Sequence, residues 1–138
     1  MKRLFLLDTC LLSEGAKPEI DPGVASWLGE TSPAARFVSV LSLAEVQYGI
    51  RRLPPGKRRD GFARWYDETL RPIFDLRVLP FEEADAMAWA KLRIARPNSS
   101  LVDSQLAATA IVRGLRVVTR NVRDFDFEGV AVLNPWRS

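Results

Sequence analysis

Leu4-Phe5-Leu6-Leu7-Asp8 is four apolar residues in a row stopped by an acid. A half-exposed strand would alternate polar and apolar residues, so residues 3–7 read as a strand buried on both faces. Strands of that kind belong to parallel sheets covered by helices on either side, and the sequence on from Asp8 supplies both elements. Residues 22–30 suggest a short helix, and Phe37-Val38-Ser39-Val40 reads as a second strand. Ser42-Leu-Ala-Glu45 matches a capping box and opens a helix to about Leu53, which Pro54-Pro55-Gly56 breaks. Residues 57–74 place Phe62, Trp65, Tyr66, Leu70 and Phe74 at helical spacing. A short strand over 77–80, a helix over 82–95, a helix from Asp103 to Arg113 stopped by Gly114, and strands over 115–119 and 130–133 complete the pattern. Alternating strands and helices predict an α/β fold with a mainly parallel central sheet, in one domain spanning residues 1–138.

Ligands of such a sheet gather at the C-terminal ends of its strands. Asp8 follows the first strand, and Glu45 lies in the first turn of the helix after the second. Asp103 opens a helix, and Thr119, Asn121 and Asp124 follow the strand at 115–119. Each acid also has a structural explanation. Asp8 can cap the turn starting at Thr9, Glu45 can complete the capping box of Ser42, Asp103 lies in a second capping pattern begun by Ser100, and Asp124 can cap its own turn. Their joint placement at one edge is what points to chemistry.

Composition narrows that chemistry. The 138 residues are 47% hydrophobic and 27% charged, a globular profile, and the net charge of +3 suits an anionic partner. There is one cysteine, Cys10, and no histidine. Histidine-based triads and histidine-pair cleavage of RNA are thereby excluded. The N-terminal apolar run is too short for a signal core or a membrane span, so the expected location is cytoplasmic. Clustered carboxylates need a cation to stay ionised together, and hard oxygen ligands suit Mg2+ or Mn2+ and, with them, phosphate substrates.

Four stretches resemble the signatures of the PIN domain: Leu-Leu-Asp8-Thr-Cys-Leu-Leu-Ser-Glu, Leu-Ala-Glu45-Val-Gln-Tyr-Gly, Leu-Val-Asp103-Ser-Gln-Leu-Ala-Ala-Thr-Ala and Val-Thr119-Arg-Asn121-Val-Arg-Asp124-Phe. With the closing Gly129-Val-Ala-Val-Leu-Asn-Pro-Trp136, the chain is similar to toxins of VapC/FitB type. The resemblance covers nearly the whole chain and departs from the pattern at Ser100, where a proline is usual, and in the segment Arg96-Pro-Asn-Ser-Ser. It implies a PIN fold, a magnesium-dependent endoribonuclease acting as the toxin of a toxin–antitoxin pair, a small antitoxin partner, and a homodimer that can join antitoxin in a hetero-oligomer. Position by position, it implies that Asp8, Glu45, Asp103 and Asp124 form an acidic tetrad supported by Thr119 and Asn121, and the expected mechanism has Asp8 and Asp103 holding the metal directly. Asp126 lies two residues beyond Asp124, and the Thr119-Arg-Asn-x-x-Asp spacing selects Asp124.

An acidic site repels RNA, so basic residues must attract it. Arg51, Arg52 and Arg120 are the leading residues for binding RNA or antitoxin, with Lys57, Arg58, Arg59, Arg96 and Arg116 behind them. The stripe Phe62, Trp65 and Tyr66 reads as core that can extend to an antitoxin contact. The alternatives are weaker. A haloacid dehalogenase-type phosphatase needs an Asp where Cys10 stands, and a receiver domain needs paired acids near the first strand and a late lysine. A PIN-like module that binds RNA or protein without cleaving it is the alternative closest to the main reading.

Overall fold

The computed structural model describes residues 3–137. In chain order they form β1 (Phe5–Leu7), α1 (Thr9–Glu14), α2 (Pro22–Glu30), β2 (Arg36–Ser39), α3 (Val40–Arg51), α4 (Lys57–Trp65), α5 (Arg71–Phe74), β3 (Val78–Leu79), α6 (Glu83–Ala95), α7 (Leu101–Arg113), β4 (Arg116–Val118) and β5 (Val132–Leu133). The strands lie in the order β3-β2-β1-β4-β5, and every pairing is parallel. β1 is central, as its unbroken apolar sequence requires.

The strands divide their side chains between two cores. Phe5, Leu7, Val38 and Val118 pack on one face with Leu11, Leu12, Val24, Leu43, Val46, Ile50, Leu70 and Phe74 from α1 to α5 and the turn before α5. Leu6 and Val117 pack on the other with Leu106, Ala107 and Ala110 of α7 and with Phe125 and Phe127. The alternation follows from the two-residue period of a strand. Leu6, Val38 and Val117 are fully excluded from solvent, each worth about 1.5–3 kcal/mol of transfer free energy.

Three expectations need correction. The helix after β2 does not start at Ser42. Ser39, at the end of β2, accepts the Leu41 N–H on its hydroxyl (3.0 Å) and caps a helix that begins at Val40. A cap needs an extended backbone, and Ser39 has it (φ −80°, ψ 144°) because it is still the last residue of the strand. Ser42 is therefore inside the helix and fully buried, and Glu45 has no capping duty. The continuous helix over 57–74 is interrupted by a π-turn at Tyr66–Leu70. Pro72 has no N–H for the carbonyl four residues back, and the wider turn absorbs that mismatch. The turn starting at Thr9 extends into a six-residue helix, α1, an element that the residue pattern did not mark. α7 ends as expected at Gly114, whose left-handed conformation (φ 68°, ψ 37°) suits glycine.

The C-terminal segment closes over the start of α2. Asp21 accepts the N–H groups of Gly23 (2.9 Å), Val24 (3.2 Å) and Arg137 (3.2 Å) on one carboxylate oxygen. A Cβ on Gly23 would stand 2.1 Å from the Pro135 carbonyl oxygen, a contact the backbone must move to relieve. Gly23→Ala is expected to destabilise the fold by about 2–3 kcal/mol, the upper part of the range for overpacking, as read by urea denaturation. An unchanged midpoint would show that the C-terminal segment does not dock there in solution.

Candidate active site

Asp8 directly follows β1 and caps α1, the structural role its place in the sequence suggests. Its Oδ1 accepts the Thr9 N–H (2.7 Å), and its Oδ2 accepts the Thr119 hydroxyl (2.8 Å). The carboxylate is only 5% exposed and Thr119 is fully buried. The Thr119 hydroxyl in turn accepts the Asn121 N–H (3.0 Å). Thr119 thus touches Asp8 through its side chain, whereas the contact made by Asn121 comes from its backbone.

Glu45 reaches toward α1, where its Oε1 accepts the Thr9 hydroxyl (2.5 Å). This link joins the helix after β1 to the helix after β2 through one of the two carboxylate oxygens of Glu45. Asp103 is the third residue of α7, and its N–H donates to the Ser100 hydroxyl (3.4 Å), so Ser100 caps the helix. Asp124 is exposed and lies in the single turn Val122–Phe125, held by its N–H to the Asn121 carbonyl (3.0 Å) and by the burial of Phe125 beside it.

Electrostatics connects these acids. Burial, and then the negative charges of Asp8, Asp124 and Glu45, push the Asp103 carboxyl up to about 6. A carboxylate in the first turn of a helix is ordinarily favoured by the helix dipole. Here repulsion and desolvation outweigh that benefit. The acids that act on Asp103 are those the spacing selects, with Asp124 rather than Asp126 among them. Among the described residues, no three acidic or cysteine side chains close into a finished cage for a metal ion. The charges of Asp8, Asp124 and Glu45 all act on Asp103. That donor set, all oxygen and mutually repelling, fits a hard divalent cation.

Cys10 belongs to this site, and no sequence signal marked it beyond its closeness to Asp8. Its thiol lies 3.5 Å from Asp8 Oδ2 and 3.6 Å from the Thr119 hydroxyl, and its sulfur accepts the Arg120 N–H (3.5 Å). Burial, assisted by the charge of Asp8, pushes the thiol up and keeps it protonated as a weak donor. Thr9, the partner of Glu45, was equally unmarked.

The basic residues are dispersed. Arg120 is exposed and directly follows Thr119, at the acidic edge. Arg51 and Arg52 are exposed at the end of α3, six and seven residues beyond Glu45. Arg51 bonds Gln47 (3.3 Å), and Arg52 stacks on Tyr48 (5.3 Å). Arg58 stacks on Phe62 (5.7 Å). Arg96, partly exposed, donates to the Asp126 carbonyl. Of the aromatic stripe, Leu70 and Phe74 are buried, and Phe62, Trp65 and Tyr66 pack partly exposed at the rim of the core. Phe62 and Trp65 line a groove of about 440 Å³ with Val46, Ile50 and Leu53, and Thr9 and Glu45 form its wall on the acidic side.

Fold and site define a class of small parallel α/β proteins that gather carboxylates at one sheet edge. The model of the PIN domain matches residues 5–133, and the chain belongs to the PIN-domain family. It is 32% identical over 137 residues to the VapC ribonuclease Y4jK of Sinorhizobium fredii, covering 96% of this chain and 98% of that one. It is also 32% identical over 137 residues to the toxin FitB of Neisseria gonorrhoeae, covering 96% and 99%. The structure of FitAcB from Neisseria gonorrhoeae superposes with a TM-score of 0.87 at 31% identity, over 98% of this chain and all of that one. A FitAB structure bound to a DNA fragment gives a TM-score of 0.88 at 29% identity, over 98% and 97%. No helix among the described residues is long and apolar enough to cross a membrane.

Proposed function

We propose that this chain is a magnesium-dependent endoribonuclease, able to use Mn2+, that acts in the cytoplasm as the toxin of a toxin–antitoxin pair. The observation that carries the reading is the gathering of acids at the strand ends: Asp8 tied to Thr119 beyond β4, Glu45 tied to Thr9 beside Asp8, and Asp103 in the first turn of α7, its carboxyl pushed up by burial and by the charges of Asp8, Asp124 and Glu45. The names of its relatives, a VapC ribonuclease and the toxin FitB, support the same reading.

Asp8 and Asp103 would hold the ion, with Glu45 and Asp124 completing its surroundings directly or through water. The bound ion would supply Lewis acidity, lowering the pKa of water and offsetting charge on the attacked phosphodiester. The chain's own residues set the conditions. The Thr119 hydroxyl and the Thr9 N–H fix the Asp8 carboxylate, and the Thr9 hydroxyl fixes Glu45. Arg120, at the edge of the acids, and Arg51 and Arg52, along α3, would draw in the RNA backbone. The groove beside Phe62 and Trp65 would seat an apolar segment of the antitoxin, whose presence against Glu45 would obstruct the site. The active unit would be a homodimer.

The test is cleavage of a structured RNA by the purified chain. Mg2+ is expected to support cleavage, and excess EDTA to reduce it at least about a hundredfold, restored by Mg2+ or Mn2+. The new ends are expected to carry 5′-phosphate and 3′-hydroxyl groups, because the chain has no histidine to drive attack by the RNA 2′-hydroxyl. Metal-independent cleavage, or ends bearing a cyclic phosphate, would refute the mechanism. RNA binding without cleavage would favour the inactive PIN-like module.

A further inference from the structure

We propose that Arg96 is a positioning residue for the acidic site, stapling the segment that leads into Asp103 to the segment that carries Asp124. This inference rests on the metal-site reading above and concerns how the chain holds the segments that carry two of its acids.

The staple has two parts. Arg96 Nη1 donates to the Asp126 carbonyl oxygen (2.7 Å), and the guanidinium lies over the Phe127 ring (4.9 Å to its centre). Both contacts fall immediately beyond Asp124. At the other end, Arg96 belongs to the loop between α6 and α7. Its carbonyl accepts the Ser99 N–H (3.1 Å) and the Ser99 hydroxyl (2.8 Å), and the next residue, Ser100, caps the helix at the Asp103 N–H. One side chain therefore spans two chain segments, each of which carries an acid of the proposed site. Phe125 and Phe127 anchor the second segment in the core by themselves. Arg96 adds restraint at the exposed side, where Asp124 stands.

The staple predicts a sign opposite to that of simple electrostatics. Removing a cation near an acidic site should tighten binding of another cation. Removing a staple should weaken it, because the metal must then draw the acids together itself. The test uses the full chain, with Mn2+ as the probe, by titration calorimetry without RNA. Arg96→Ala is expected to weaken Mn2+ binding about threefold to tenfold. That is less than the roughly 10- to 100-fold loss expected when a direct partner of a metal ligand is removed. Arg96→Lys, which keeps the charge and one donor but loses the planar stack, should lie between. In an Asp124→Asn background the Arg96→Ala effect should vanish. Amide exchange at Phe127 in the metal-free chain should quicken in Arg96→Ala.

Unchanged or tighter Mn2+ binding in Arg96→Ala overturns the proposal, as does a loss of equal size in the Asp124→Asn background. So does a variant whose only defect is weaker, salt-sensitive RNA binding, which would make Arg96 a phosphate contact. If Arg96→Ala does not fold, Arg96→Lys decides by the same measurements. Absence of Mn2+ binding in the unsubstituted chain would instead reject the metal-site reading itself.

Discussion

Asp103→Asn is expected to lower RNA cleavage on the order of 10³-fold or more, and to make the metal-free chain more stable at neutral pH. The first effect follows from the proposed site, in which Asp103 is a direct ligand. The second follows from the carboxyl being held up to about 6, well above an ordinary aspartate, by burial and then by Asp8, Asp124 and Glu45. The folded chain therefore binds this proton more tightly than the unfolded chain does. Its stability falls as pH rises from about 4 to 6, and at pH 8 the full cost of the charge is present. A rise of this size corresponds to about 3 kcal/mol, and partial exposure of Asp103 reduces it to about 1–2 kcal/mol. Asparagine removes the charge and keeps the shape, so it should recover that amount at pH 8 and nothing below about pH 4. Urea denaturation in EDTA at the two pH values measures it. Equal stability at both pH values, or a less stable Asp103→Asn at pH 8, would contradict the electrostatic account. Added Mg2+ should stabilise the parent chain and not the variant.

The second large effect concerns a residue that touches no substrate. Thr119→Val is expected to cost about 2–3 kcal/mol of stability and to reduce cleavage about 10- to 100-fold. Valine has nearly the shape of threonine, so packing at this fully buried position changes little. What is lost is the donor to Asp8 Oδ2 (2.8 Å) and the acceptor for the Asn121 N–H (3.0 Å). A hydrogen bond to a buried charged group is worth more than an ordinary one, because the carboxylate has no water to turn to. Thr119→Ser keeps the hydroxyl and should retain most of both activity and stability. A valine variant with full activity would show that Asp8 is held well enough by the Thr9 N–H alone.

Both predictions start from acids whose positions were legible in the sequence, though the contacts that give the predictions their size were not. The apolar run ending at Asp8 and the strand ending at Thr119 place those residues at one edge, since strand length and the parallel rule leave little choice. Glu45 was legible as an acid in the helix after the second strand, but the structural role weighed against it was mistaken. The motif Ser42-Leu-Ala-Glu45 satisfies the capping pattern by composition, and only the extended backbone of Ser39 at the strand end shows which serine caps α3. Asp124 and Asp126 are both acids in one short turn, and their spacing favours Asp124. The charge of Asp124 is among those that push the Asp103 carboxyl up.

The sequence by itself determined most of the order of elements, the burial of β1 on both faces and the strand ends beside which the acids lie. These depend on hydrophobic period and on where helices and strands stop, which are local properties. The tertiary structure alone decided the partnerships: Thr9 with Glu45 across 36 residues, Thr119 with Asp8 across 111, Cys10 with both Asp8 and the turn after β4, and Arg96 with the segment beyond Asp124. Each joins positions distant in the chain through one or two polar atoms, and such contacts leave no periodic trace in the residues between them.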